Sequence, residues 1–174
     1  MIHARASFRS EKALITTVMA SPDFPSVLGF QSWAFWQASE VEGLFGIPDL
    51  VIAFTKMDQA GRTIIRTCAI EFKRSHWRKA LTQAFRYASF AHYSLVCLDD
   101  AFSGPAMRSL DLFKTANIGL LTVDTDGTIV WRFKPKFRLP YSQPLTSELR
   151  ARVRSTMQMG PPCPSRQGLA IAAS

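Results

Sequence analysis

Apolar and polar positions along the chain switch repeatedly between helical and extended spacing. Over residues 10–20, Ala13, Leu14, Thr17 and Val18 share one face, which predicts an amphipathic first helix. The segment SPDFP at 21–25 ends it, because proline lacks an amide donor and restricts its predecessor. The aromatic-rich residues 27–37 read as a strand and 40–46 as a polar loop. DLVIAF at 49–54 is a short apolar run of the kind found in buried strands, and TIIRTCAIEF at 63–72 is rich in β-branched residues. The polar KMDQAGR between them predicts a hairpin.

Ser75 predicts the N-cap of a helix running to about residue 92, with Trp77, Leu81, Ala84, Ala88 and Ala91 on its buried face. YSLVCL at 93–98 is the next strand, 105–114 a short amphipathic helix and IGLLTV at 118–123 a further strand. Asp126-Gly127 turns that strand into TIVWRF at 128–133, since an Asp-Gly pair reaches positive φ at low cost. Beyond Phe133 the pattern decays into a basic stretch over 134–154, and from Gly160 a proline-broken tail is expected to be mobile. The order of elements predicts a mixed sheet covered by helices.

Composition narrows the class. With 174 residues, 47% of them hydrophobic, the chain is long enough for one domain with a sizeable core, and too apolar to be disordered. No run approaches the roughly 20 apolar residues of a membrane helix, so no membrane partner is expected. Cys68, Cys97 and Cys163 include no CxxC pair, which argues against a disulfide framework or a structural zinc site and for a cytoplasmic setting. Arg5, Arg9 and Lys12 ahead of ALITTVMA have the outline of a signal peptide, but two threonines and Glu11 interrupt it, and an amphipathic helix is the better reading. A formal net charge of +8 points to an anionic partner, nucleic acid being the commonest, or to a basic surface that serves only solubility.

The segments GIPDLVIAF and AIEFKRS carry the candidate chemistry. Asp49 opens one strand after Pro48, and Glu71 and Lys73 close its neighbour. Side chains alternate along a strand, so Glu71 and Lys73 share a face while Phe72 takes the other. Two carboxylates and an ammonium then meet at one end of a hairpin. Buried charges cost several kcal/mol unless paired or metal-bound, and adjacent carboxylates repel unless a cation lies between them. A hard divalent ion with oxygen ligands resolves this. The alternative is a strand-end ion pair between Glu71 and Lys73, with Asp49 only a turn residue.

Pro48-Asp49 followed by Glu71-Phe72-Lys73 resembles the motif of the PD-(D/E)xK nuclease superfamily. Gln83-Ala84-Phe85-Arg86-Tyr87 on the next helix is similar to the QxxxY element of the branch that includes bacterial recombination exonucleases. The resemblance spans roughly residues 10–98. It implies an α/β fold with a restriction-endonuclease-like αβββαβ core, a mixed sheet flanked by helices and a C-terminal hairpin. The nuclease-like domain would span 1–140, and 141–174 would be a basic segment and tail. It further implies a Mg²⁺-dependent deoxyribonuclease, with Mn²⁺ as a substitute, or a catalytically inactive relative that binds DNA or regulates. Asp49 and Glu71 would be metal ligands with the Phe72 carbonyl a third, and Lys73 the catalytic lysine. An acid on the first helix completes many such sites. Glu11 is the candidate there, and Glu40 and Glu42 are rivals. Gln83 and Tyr87, one turn apart on a helix, would face the site or the DNA, or else form a solvated edge. Arg74, Arg78, Lys79 and Arg86 would contact the phosphate backbone. The small size implies a homodimer or a larger nucleic-acid-processing partner.

The remaining features read more plainly. His76 could touch a phosphate, though a lone histidine in a first helical turn is more often a surface residue. The acids at 99–100 and 124–126 suit turns. SWAFW at 32–36 could stack on bases, but aromatics at that density more often form core.

Overall fold

A computed structural model describes residues 6–42 and 44–159. Six strands form one mixed sheet in sequential order: β1 (Ala34–Ser39), β2 (Leu50–Met57), β3 (Thr63–Lys73), β4 (Tyr93–Asp99), β5 (Gly119–Val123) and β6 (Ile129–Phe133). β1, β2 and β3 run antiparallel, β3, β4 and β5 parallel, and β5 and β6 close as an antiparallel hairpin. The central strands are apolar on both faces because helices cover both. Leu50, Ile52, Phe54, Cys68, Ile70, Phe72, Leu95 and Cys97 point to one side, where Leu14 and Val18 of α1 (Glu11–Ala20) and Phe24 of α2 (Phe24–Val27) meet them. Val51, Ala53, Ala69, Val96 and Leu98 point to the other, against α3 (Trp77–Tyr87), α4 (Gly104–Arg108), α5 (Leu110–Ala116) and α6 (Gln143–Met159).

Several boundaries differ from those the pattern predicts. The strand expected over 27–37 starts only at Ala34, because residues 24–27 make one helical turn. Pro25 is tolerated there, since a first-turn residue needs no amide donor. α3 starts at Trp77, with His76 rather than Ser75 at the N-cap position, and stops at Tyr87. Ala88 and Ala91, expected on its buried face, are buried in the turn that follows. The single helix expected over 105–114 is two, α4 and α5, because Ser109 leaves helical geometry at φ −112°. In the β5–β6 turn only Gly127 has positive φ, and Asp124 builds the turn by accepting from the amides of Asp126 and Thr128.

In the basic segment from 141, Leu149 and Val153 of α6 are fully buried against the α3 side. With Leu145 they make a narrow apolar stripe at i, i+4 spacing beside Glu148, Arg150, Arg152 and Arg154, which a composition reading takes for a solvated face. The tail from Gly160 lies outside the described residues. Among the described residues no helix is long and apolar enough to cross a membrane.

Candidate active site

The β2–β3 hairpin sets the geometry. Its register pairs Leu50 with Ile70, so Asp49 and Glu71 come next on adjacent strands. Asp49 Oδ2 accepts the Phe72 amide at 2.7 Å, which ties the Pro48-Asp49 turn to the end of β3. Glu71 and Lys73 share the face turned towards α3. Glu71 is 1% exposed and Lys73 half-buried.

All three hydrogens of the Lys73 ammonium have acceptors: Glu71 Oε1 at 2.9 Å, the Phe72 carbonyl at 2.9 Å and Glu11 Oε2 at 3.3 Å. Asp49 Oδ2 lies 4.0 Å away. Three carboxylates and one carbonyl thus surround a single cation. The Tyr87 hydroxyl donates to Glu71 Oε2 from α3, and the Ile47 carbonyl lies 3.1 Å from the same hydroxyl. That contact needs Gly46, whose φ is +96° and whose notional Cβ would stand 3.0 Å from the Tyr87 ring. The side chains of Glu11 and Asp49 are 41% and 26% exposed, so the cluster is open on their side and closed behind Glu71.

The electrostatics follow from this half-burial. Burial pushes the Glu71 carboxyl above its ordinary range, with the Asp49 charge adding to it, against the hydrogen bonds from Tyr87 and Lys73. Asp49 is raised for the same first reason, against the Phe72 amide and Lys73. Burial works against the Lys73 ammonium, but the hydrogen bond and charge of Glu71, with Asp49 and Glu11, outweigh it and raise its pKa. The Tyr87 phenol is raised by burial and by Glu71, so it stays a proton donor.

Of the acids weighed for the first helix and its rivals, Glu11 is the one in contact with the cluster. The charge of Glu40 is felt at Asp49, while Glu42 is exposed and its carbonyl is held by Arg152. Tyr87, expected at the site or the nucleic acid, is 1% exposed and turned wholly to Glu71. Gln83 is half-buried, with Oε1 buried and unbonded, and Lys79 is exposed. The three are not equivalent because each four-residue step turns a helix about 40° past a full circle. Arg78 lies over the Trp77 ring at 4.4 Å, and Arg78 and Arg86 are exposed on α3. Arg74 is half-buried, reaching the Arg9 carbonyl at 3.4 Å and the Phe102 ring at 5.4 Å. His76 is exposed.

Two site elements escaped the sequence reading. Gly46 carried a signal, a glycine three residues before the key aspartate. Asp99 carried none beyond its place in a turn; it is fully buried, with Oδ2 accepting the Phe8 amide at 2.9 Å and Oδ1 the Ala101 amide at 3.0 Å.

Among the described residues no group of three or more His, Cys, Asp or Glu side chains is arranged to hold a metal ion. The oxygens around Lys73 stand at ammonium distances, longer than the roughly 2.0–2.6 Å of Mg²⁺ or Ca²⁺ ligation. The surrounding atoms are all oxygens, and the point on which they converge is held by the Lys73 ammonium. No protein-family model, curated protein or solved structure matches the chain.

Proposed function

We propose that the chain is a Mg²⁺-dependent deoxyribonuclease built on a restriction-endonuclease-like core. The observation that carries this reading is the convergence of Glu11, Asp49 and Glu71 on Lys73 at an open hairpin end. A structural ion pair needs one acid per base, and three acids on one lysine leave an excess of negative charge. The succession α1, β1, β2, β3, α3, β4 also contains the αβββαβ order of that core, with the short α2 interposed.

Asp49, Glu71 and the Phe72 carbonyl would hold the divalent cation, with Glu11 completing the set. An ion held there would supply a water of lowered pKa and neutralise charge building on the phosphate. The other tasks fall to the chain itself. Tyr87 fixes the rotamer of Glu71 by holding one oxygen and leaving the other turned to the site. Lys73 would donate a hydrogen bond to a phosphate oxygen once that oxygen replaces a carboxylate. Arg78, Lys79 and Arg86 on the exposed face of α3 supply cationic contacts to a backbone.

Cleavage of supercoiled, linear duplex and single-stranded DNA with Mg²⁺ or Mn²⁺ tests the reading. Strand scission is expected with at least one form, with at least a hundredfold loss in Asp49→Asn, Glu71→Gln and Lys73→Ala. Absence of scission with every form and both ions, or scission indifferent to these substitutions, refutes it. One observation favours a second reading, a nuclease-fold DNA-binding protein without catalysis: the Lys73 ammonium takes up the oxygens a metal would need. That reading predicts salt-sensitive DNA binding with no scission and no Mg²⁺ effect on thermal stability.

A further inference from the structure

On the opposite face of the sheet from the Glu71 cluster lies a half-open cavity of about 280 Å³. Its walls are Phe30, Trp33, Tyr93, Trp131 and Phe137, and among the described residues Lys134 is the one charged side chain lining it. Cys68 and Leu95 reach it from β3 and β4.

The walls are fixed in place. Phe30 stacks on Phe54 at 3.9 Å and meets Trp33 and Tyr93 edge-on at 5.4 and 5.8 Å. Trp131 Nε1 donates to the Val27 carbonyl at 2.8 Å, which locks the indole. Phe137 lies edge-on to Tyr93 at 6.0 Å and stacks on the buried His92 ring at 5.6 Å. Two cations flank these rings. Lys134 Nζ is 6.0 Å from the Trp131 centroid, and the Arg66 guanidinium lies 4.1 Å over Phe137. Gly29, at φ +90°, has its notional Cβ 3.3 Å from Lys134 Nζ, so it leaves the ammonium room against the backbone. Among the described residues neither Lys134 nor Arg66 pairs with a carboxylate, and the Tyr93 hydroxyl has no hydrogen-bond partner.

An aromatic core this exposed at its mouth is costly unless something flat fills it. Rings are stabilised by face or edge contact with another π system, unpaired cations select an anion, and the free phenol can read a polar edge. We infer that this cavity is a binding site for a nucleoside 5′-monophosphate, its base between the aromatic walls and its phosphate on Lys134. The site is independent of the carboxylate cluster. The same chemistry is offered by a free nucleotide and by the 5′-phosphorylated end of a strand.

Calorimetric titration of the full chain without divalent ions tests this, using deoxyadenosine 5′-monophosphate, deoxyadenosine and a 5′-phosphorylated oligodeoxyadenylate. Saturable binding of the monophosphate is expected, about tenfold tighter than the nucleoside, as for a charge-assisted hydrogen bond. Lys134→Ala should abolish that difference, so that nucleotide and nucleoside bind alike. Trp33→Ala should weaken both by about tenfold through lost stacking. Lys134 is exposed, so its substitution tests the site even where Trp33→Ala perturbs folding. Equal affinity for the oligonucleotide identifies a strand end as the source, and its exclusion identifies the free nucleotide. No saturable heat with any of the three overturns the inference. So does a phosphate contribution that survives in Lys134→Ala, or one lost in Glu71→Gln, which would place the anion at the carboxylate cluster.

Discussion

Replacing Lys73 by methionine keeps the aliphatic stem and deletes the charge. The ammonium makes three hydrogen bonds, one of them to a carboxylate whose side chain is 1% exposed. Removing one partner of a buried ion pair costs about 3–5 kcal/mol, because the other charge stays buried and alone. The protein has one escape: Glu71 can take up a proton. Its carboxyl is already raised by burial, and without Lys73 it rises further. The deficit at pH 7 is therefore expected at the low end, about 3 kcal/mol, or a fall in Tm of about 6–12 °C for a chain of this size.

The pH dependence gives the sharper test. A carboxyl with a raised folded pKa binds more protons folded than unfolded, so its contribution to stability is complete below the unfolded pKa and is lost as pH rises through the folded one. The variant should lose more than the wild type on going from pH 5 to pH 8. The difference between them should grow by up to about 1.4 kcal/mol per pH unit, the limit for one proton. Urea denaturation of both proteins across that range measures it. Other titrating groups act equally in both chains and drop out where they do not touch the cluster. A deficit below about 1 kcal/mol at pH 7, or one unchanged between pH 5 and pH 8, would refute the ion cluster as described.

Three further outcomes follow from individual contacts. Tyr87→Phe removes the donor to Glu71 and should cost about 1–3 kcal/mol in urea denaturation; a loss under 0.5 kcal/mol would mean the hydroxyl does not hold that carboxylate. His92 is fully buried, and burial, with Arg66 and Arg150, lowers its pKa to about 4. The unfolded chain therefore binds the extra proton between about pH 6.5 and 4, and up to roughly 3 kcal/mol should be lost as pH falls through that window; His92→Asn should flatten this part of the urea profile. Gly119→Ala places a Cβ 2.3 Å from Leu95 Cδ2 and 2.8 Å from Pro135 Cδ, and overpacking of that kind should cost about 1–3 kcal/mol, seen as a lower Tm.

The hairpin and its charged cluster were legible because both are local. DLVIAF and TIIRTCAIEF carry their own strand signals, and period-two alternation alone puts Glu71 and Lys73 on one face. α1 was legible for a similar reason, with Ser10 Oγ accepting the Ala13 amide as an N-cap should. What was not legible depends on distant packing. α6 rests on Leu149 and Val153 meeting a core built by α3, and nothing in the basic stretch announces that partner. α3 ends at Tyr87 although alanines continue the helical spacing, because the chain must turn back to start β4 at Tyr93. Whether Tyr87 faced the site, the nucleic acid or solvent stayed open, because a helix wheel shows which way a residue points, not whether another segment covers it. Gly46 brings the 46–49 turn over that ring and makes it interior.

The position of Glu11 shows why a motif confined to one hairpin leaves the site incomplete. Thirty-seven residues lie between Glu11 and Asp49, and no spacing rule links them. The link runs through β4. Asp99 closes that strand, and its buried carboxylate holds the Phe8 amide across the sheet end. Phe8 itself is buried in the same core as Leu14 and Val18, so the chain enters α1 at a fixed point. Ser10 then caps the helix and Glu11 begins it, in the first turn where a carboxylate is favoured by the helix dipole. In sheets with parallel strands, the carboxyl ends are where connecting segments gather and sites form. β3 delivers Glu71 and Lys73 to that edge, and β4 delivers the clamp that brings a third acid to them. The acid from α1 is thus a consequence of the parallel β3–β4 pairing, which only the folded chain reveals.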